Sequence, residues 1–308
     1  RHSTHVESQG ACRIRSAGRA DFLNRGSDLK TSFTDLHQLL DPGGPVIDAH
    51  VHPLQNFGAR RPADAAEDVN LLRGAAERAG VTQVVLFSLY GTVPRNPTID
   101  ECREANDYAQ QMAEESDGFF LPFCYVTPDE PVASADEIDR CVGEKRMAGV
   151  KLWVARRATD PGLDPILERV VHWRVPVLQH AWRKTTGNLE GESTPADVAD
   201  LARRHPEAQI IMAHLNGCNP RGIEDVVDVP NVCVDTSGGD PESGVVELAV
   251  ERLGAGRVVV GSDAPIRHFG VCLAKVLGAN LPWETKRMIL WDNLQKRLPE
   301  WVRTEVVS

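Results

Sequence analysis

The stretch Val46-Ile47-Asp48-Ala49-His50-Val51-His52-Pro53 ends an apolar run in two histidines one residue apart. Side chains alternate faces along an extended strand, so His50 and His52 reach the same side from one strand end. Two imidazoles converging on one point suit a divalent metal. Pro53 cannot donate to a sheet ladder and stops the strand. Four later apolar runs carry or end in polar residues of the same chemical kind. Lys151 sits in Gly149-Val150-Lys151-Leu152-Trp153, and His180 follows Val177-Leu178-Gln179. His214 follows Ile210-Ile211-Met212-Ala213, and Asp263 follows Val258-Val259-Val260-Gly261-Ser262. Each has a plain alternative: a hydrogen-bonded histidine, an aspartate capping a turn, a lysine in a buried salt bridge. Independent plain explanations at five strand ends are hard to sustain together.

The elements that must position these residues are strands alternating with helices. Strand-like runs cover 46–50, 81–89, 119–126, 149–154, 175–179, 208–213, 231–235 and 257–261. Most are apolar on both faces, as parallel strands covered by helices are. Helical stretches are expected over 64–79, 98–115, 131–145, 161–172, 194–204 and 241–253, with a short one over 220–227. Proline recurs at or near the first helical position. Eight strands alternating with helices predict a (β/α)8 TIM barrel of the α/β class rather than an open sheet. In that fold the strands' C-terminal ends form the site, and His50, His52, Lys151, His180, His214 and Asp263 share that mouth.

The barrel is expected over 46–308, with closing helices over 281–301. Residues 1–45 form an N-terminal extension: a polar arm over 1–30, then a short helix capped at Thr31-Ser32 that presents Phe33, Leu36, Leu39 and Leu40. The first residue is Arg1 rather than Met, as in a processed or truncated chain. At 308 residues the length suits one barrel, a fold of ~250 residues or more. The formal net charge of −10 argues against nucleic-acid binding, which needs a basic footprint. No apolar run spans a membrane and no signal-peptide pattern is visible. Seven scattered cysteines without a CxxC pair fit reduced thiols in a cytoplasmic protein.

The ordered set Asp48-Ala49-His50-Val51-His52-Pro53, Val150-Lys151-Leu152, Gln179-His180-Ala181, Ala213-His214-Leu215-Asn216-Gly217, Gly261-Ser262-Asp263-Ala264-Pro265 and Ile289-Leu290-Trp291-Asp292-Asn293-Leu294 resembles the amidohydrolase superfamily. The resemblance is to its amidohydrolase-related branch, which also holds aminocarboxymuconate-semialdehyde decarboxylase and the resorcylate decarboxylases. It implies that His50, His52, His180 and Asp263 hold one divalent metal, usually zinc. It implies that Asp263 doubles as general base and that His214 polarises the substrate or serves as acid/base. In a two-metal variant Lys151, as a carbamate, and His214 join the coordination. A metal of this kind brings its bound water's pKa toward ~7.

Cations follow several strands: Arg156 and Arg157, Arg183 and Lys184, Arg221, Arg267 and His268. Arginine suits planar carboxylates, so a carboxylated small-molecule substrate is expected, with Arg156, Arg183 and Arg267 as contacts. Trp153 and Trp182 follow ligand-bearing strands and wall the pocket or pack the rim. Asn216 is a further substrate contact, and Asn216 and Asp235 are placed to orient ligands. The expected activity is a metal-dependent hydrolase that uses activated water on an amide, ester or lactone. The alternative is a non-oxidative decarboxylase, and the third reading is a barrel that only binds a partner. The resemblance allows a homodimer.

Overall fold

The computed structural model describes residues 41–239 and 242–303, apart from the side chains of residue 216 and residues 218–221. The expected arm and helix within residues 1–40 lie outside the described residues. Contacts divide the chain after Asp41, and the unit considered below begins at Pro42.

Eight parallel strands form one sheet in sequence order: β1 (Ile47–Val51), β2 (Gln83–Leu86), β3 (Phe120–Tyr125), β4 (Gly149–Leu152), β5 (Val177–Gln179), β6 (Ile210–Met212), β7 (Val232–Asp235) and β8 (Val258–Val259). The barrel closes between the end of β1 and the segment after β8. Ala49 N donates to Val260 O at 2.9 Å, Asp263 N to His50 O at 2.8 Å, and His52 N to Ala264 O at 2.7 Å. The fold is therefore the predicted (β/α)8 barrel.

Strand alternation sorts the apolar residues into two layers. Val84, Leu86, Phe120, Val150, Leu152, Val177, Ile210, Met212 and Val258 pack outward under the helices. Ile47, Ala49, Val85, Leu121, Phe123, Leu178, Ile211 and Val259 fill the barrel interior. Lys151, between outward Val150 and Leu152, must therefore face inward.

The covering helices are α1 (Ala65–Arg78), α2 (Ile99–Glu114), α3 (Pro131–Ile138), α4 (Asp164–Trp173), α5 (Pro195–Arg204), α6 (Leu215–Asp225), α7 (Val245–Leu253) and α8 (Phe269–Leu277). Their starts follow local chemistry. Thr98 and Glu101 make a capping box at α2, and Thr194 and Asp197 do so at α5 with Pro195 in the first turn.

Two helices depart from expectation. α6 begins at Leu215, directly after His214, and not at Pro220. Pro220 sits inside it, where proline forgoes one backbone hydrogen bond, so its role as a helix starter is overridden. α8 was not expected at all. Its sequence, Phe-Gly-Val-Cys-Leu-Ala-Lys-Val-Leu, lacks a polar stripe that would mark a helical period. The His268 ring caps it by accepting from Gly270 N at 3.1 Å.

Candidate metal centre

β1 delivers both histidines because its alternation breaks once. Its register on β2 shifts between Asp48 and Val51. Ala49 is interior and Val51 packs in the outer layer, so His50 follows Ala49 inward and His52 follows two residues on. The Nδ1 of His50 lies 2.9 Å from Asp235 Oδ2, and that of His52 lies 3.3 Å from Phe87 O. An ionised carboxylate and a carbonyl only accept, so both imidazoles carry the proton on Nδ1. Their Nε2 atoms are left to face the site.

Both Nε2 atoms stand 3.4 Å from the same oxygen, Asp263 Oδ1. Around an ion bound tetrahedrally at ~2.0–2.1 Å, neighbouring donors are spaced at about this distance. The donor set therefore fits a divalent metal. One triple of donor atoms at the mouth, His50, His214 and Asp263, lies with all three within 4.8 Å of one another.

His214 and Asp263 both adopt left-handed backbone conformations, with φ of 69° and 64°. Such angles are uncommon outside glycine and concentrate at sites under functional constraint. For His214 the consequence is geometric. Ala213 faces the interior, so simple alternation would send the next residue outward. The left-handed turn brings its ring back to the mouth. There His214 Nε2 lies 3.2 Å from His180 Nδ1, and its Nδ1 lies 2.9 Å from Ser237 Oγ. Asp235 ties the two halves together: it holds His50 and also accepts from His214 N at 3.0 Å.

His180 is oriented from its far side. Its Nε2 lies 2.9 Å from Glu192 Oε1, and Lys184 Nζ donates to both oxygens of Glu192 at 2.8 and 2.9 Å. The carboxylate draws the ring proton to Nε2 and leaves Nδ1 as the donor to a metal. Outer partners of this kind carry ~10–100-fold in metal affinity. Glu192→Gln is expected to weaken divalent metal binding by about that factor, read by competition with a chelator. Unchanged affinity would mean that His180 needs no such orientation.

The ionisation states suit metal binding. Burial pushes His52 down to about 4 and lowers His180 and His214 as well, so these rings are neutral near pH 7 with a lone pair to offer. Burial pushes Asp263 up, but the bond to His52, the neighbouring imidazoles of His50 and His52, and Arg267 outweigh it and hold the carboxyl low. Burial also pushes Asp235 up, and His50 and Ser237 outweigh it in the same way. Burial brings Lys151 down to about 7, against the pull of Asp235 and Asp263. Asp48 rises to about 7 by burial while accepting from His50 N and Ser262 N at 3.0 and 2.9 Å, which staples β1 to the segment after β8.

His50, His52, Lys151, His180, His214 and Asp263 line a cavity of about 330 Å³. Its walls include Phe57, Leu89, Trp153, Trp182, Leu189 and Ile266, with Arg267 at the side. Trp182 packs 4.6 Å from the His214 ring, and Gly217 makes room for it: an added Cβ would lie 2.7 Å from the indole. Arg267 donates to Asp263 Oδ2 at 3.2 Å.

Of the expected substrate contacts, Trp153, Trp182 and Arg267 line this cavity and two arginines do not. Arg156 pairs with Asp129 and Asp160, and Arg183 pairs with Asp225. Loop cations are taken up by carboxylates that the fold brings beside them, 27 residues away for Arg156 and 42 for Arg183, which spacing along the chain does not reveal. The side chains of Asn216 and Arg221 lie outside the described residues. Glu192, Ser237 and Phe87 were not foreseen. Ser237 stands two residues after Asp235, so alternation could have found it; Glu192 lies in a loop with no such signal. Five described cysteines are free and buried, as expected of core thiols. No helix among the described residues is long and apolar enough to cross a membrane.

A (β/α)8 barrel with histidines and an aspartate meeting at its C-terminal mouth is amidohydrolase architecture, and the chain belongs to that family, whose model matches residues 47–296. No curated protein matches the chain. Solved structures share the fold at low identity. A putative amidohydrolase from Staphylococcus aureus is 18% identical at a TM-score of 0.67, covering 83% of this chain and 99% of its own. The 2,6-dihydroxybenzoate decarboxylase from Rhizobium is 14% identical at a TM-score of 0.65, covering 82% and 98%. A dihydroxybenzoic acid decarboxylase from Polaromonas sp. JS666, with bound manganese and the inhibitor 2-nitroresorcinol, is 16% identical at 0.64, covering 82% and 96%.

Proposed function

We propose that the protein is a metal-dependent, non-oxidative decarboxylase of a small aromatic acid, the alternative to the hydrolase first expected from the strand ends. The observation that carries this reading is the pairing of two indoles, Trp153 and Trp182, with Arg267 around the histidine cluster. Flat apolar walls suit an aromatic ring, and a guanidinium suits its carboxylate. The similarity to decarboxylases of dihydroxybenzoates supports the same choice.

In this reading His50, His52, His180 and Asp263 hold the divalent ion. An imidazole-rich set suits zinc, and the manganese of the Polaromonas enzyme makes manganese the second candidate. When bound, the ion supplies Lewis acidity to the substrate's oxygens. The chain's residues do the rest. Trp153 and Trp182 hold the ring flat, and Arg267 orients the carboxylate. His214, steadied by Ser237, relays a proton from solvent to the ring carbon, where it replaces the carboxyl group as carbon dioxide leaves.

The deciding experiment loads the protein with zinc or manganese and supplies 2,6-dihydroxybenzoate and related hydroxybenzoates beside a panel of lactones, esters and amides. The expected result is metal-dependent release of carbon dioxide with formation of the phenol. Metal-dependent opening of a lactone, ester or amide, with no carbon dioxide from any acid, would restore the hydrolase reading.

A further inference from the structure

Lys151 is fully buried on β4, facing the barrel interior, and its Nζ has no hydrogen-bond partner among the described residues. It also lines the cavity. The amine sits 4.4 Å from the centre of the Phe87 ring, and that ring packs against His50 and His52 at 5.1 and 4.6 Å. Lys151 therefore shares one wall with the histidine pair. Of the other cations of the cavity, Lys184 is held by both oxygens of Glu192, and Arg267 bonds Asp263 through Nη1 and keeps its other donors for the substrate. A ring face is a weak partner for a buried amine, which needs hydrogen bonds or an opposite charge. The charges argue the same way. Asp235 and Asp263 offset Lys151 and Arg267, so a divalent ion leaves the mouth net positive, and an anion completes it.

We propose that Lys151 is the seat for a substrate oxyanion, carboxylate or phenolate, at the floor of the cavity. Resting on the reading of this cavity as an aromatic-acid site, it adds a role for Lys151 outside the coordination sphere. Lys151 donates to the anion, while Arg267 and the indoles fix the ring. The amine has no hydrogen-bond partner in the free protein because the ligand brings it.

The test compares wild type with Lys151→Met, each as full-length protein with and without zinc. Salicylate and salicylamide are titrated calorimetrically; they match in shape, and only the first bears the carboxylate. Pentafluorophenol and pentafluoroanisole, titrated at a mildly acidic pH where that phenol is ionised and the amine keeps its proton, repeat the comparison for a phenolate. The expected result is an anion preference in wild type, in either pair, that falls by about tenfold or more in the variant, the effect of one charge-assisted hydrogen bond. Thermal unfolding without ligand should be unchanged or shifted upward in Lys151→Met, since the variant removes a buried amine lacking a partner. A wild-type protein with no anion preference in either pair, or a variant that keeps it, overturns the proposal. So does a clear drop in melting temperature, which would make Lys151 a structural partner of Asp235 and Asp263. A carbamate resonance on Lys151 after adding carbon-13 bicarbonate also overturns it, because the amine is then consumed. None of these readings needs turnover, so the proposal can stand if decarboxylation fails and can fall if decarboxylation is found.

Discussion

His50→Ala is expected to abolish metal binding at working concentrations and, with it, activity. The residue does two things at once. Its Nε2 stands 3.4 Å from Asp263 Oδ1 at the point where the donors converge. Its Nδ1 satisfies the buried carboxylate of Asp235 at 2.9 Å. Removing a ligand should cost more than the ~10–100-fold carried by an outer partner such as Glu192. Asp235 keeps the His214 backbone and Ser237 as partners but loses its strongest one, so a stability loss of about 1–3 kcal/mol should accompany the change. Elemental analysis per chain and a thermal melt read the two effects separately. A variant that keeps a full equivalent of metal would remove His50 from the centre.

Asp263→Asn should cut turnover by more than the ~10–100-fold carried by an outer partner of a metal ligand, while leaving the barrel folded. The substitution keeps the shape and removes the charge. Three groups depend on that charge: His50 and His52, each 3.4 Å from Oδ1, and Arg267, 3.2 Å from Oδ2. The amide cannot hold all three, so Arg267 loses the partner that fixes it beside the cavity. Metal affinity should fall as well, and the rate must therefore be measured at saturating metal. A nearly normal rate under those conditions would take Asp263 out of the chemistry.

Much of this centre was legible in the chain because strand ends obey short-range rules. The one-residue spacing of His50 and His52 survives the register shift in β1, since Val51 between them packs in the outer layer and leaves both rings on the inner side. Lys151 was placed at the mouth by the strand that carries it, and its inward direction follows from the outward packing of Val150 and Leu152. The pairs that decide which loop cations are available are a different matter. Arg183 meets Asp225 across 42 residues, and Arg157 meets Asp197 across 40. Nothing in either local stretch announces that such a cation is already taken.

The amino-acid sequence by itself determined the barrel, the order of its strands and the residue types at its mouth. These depend on apolar periodicity, turn chemistry and the rule that parallel strands carry their polar residues out at one end. Only the tertiary structure decided which atoms face one another. It turned His214 inward through a left-handed backbone, protonated His50 on Nδ1 through Asp235, and aimed His180 through Glu192, 12 residues away in a loop. Those outcomes depend on contacts between distant segments, whose geometry is set by packing and closure of the barrel and leaves no periodic mark in the chain.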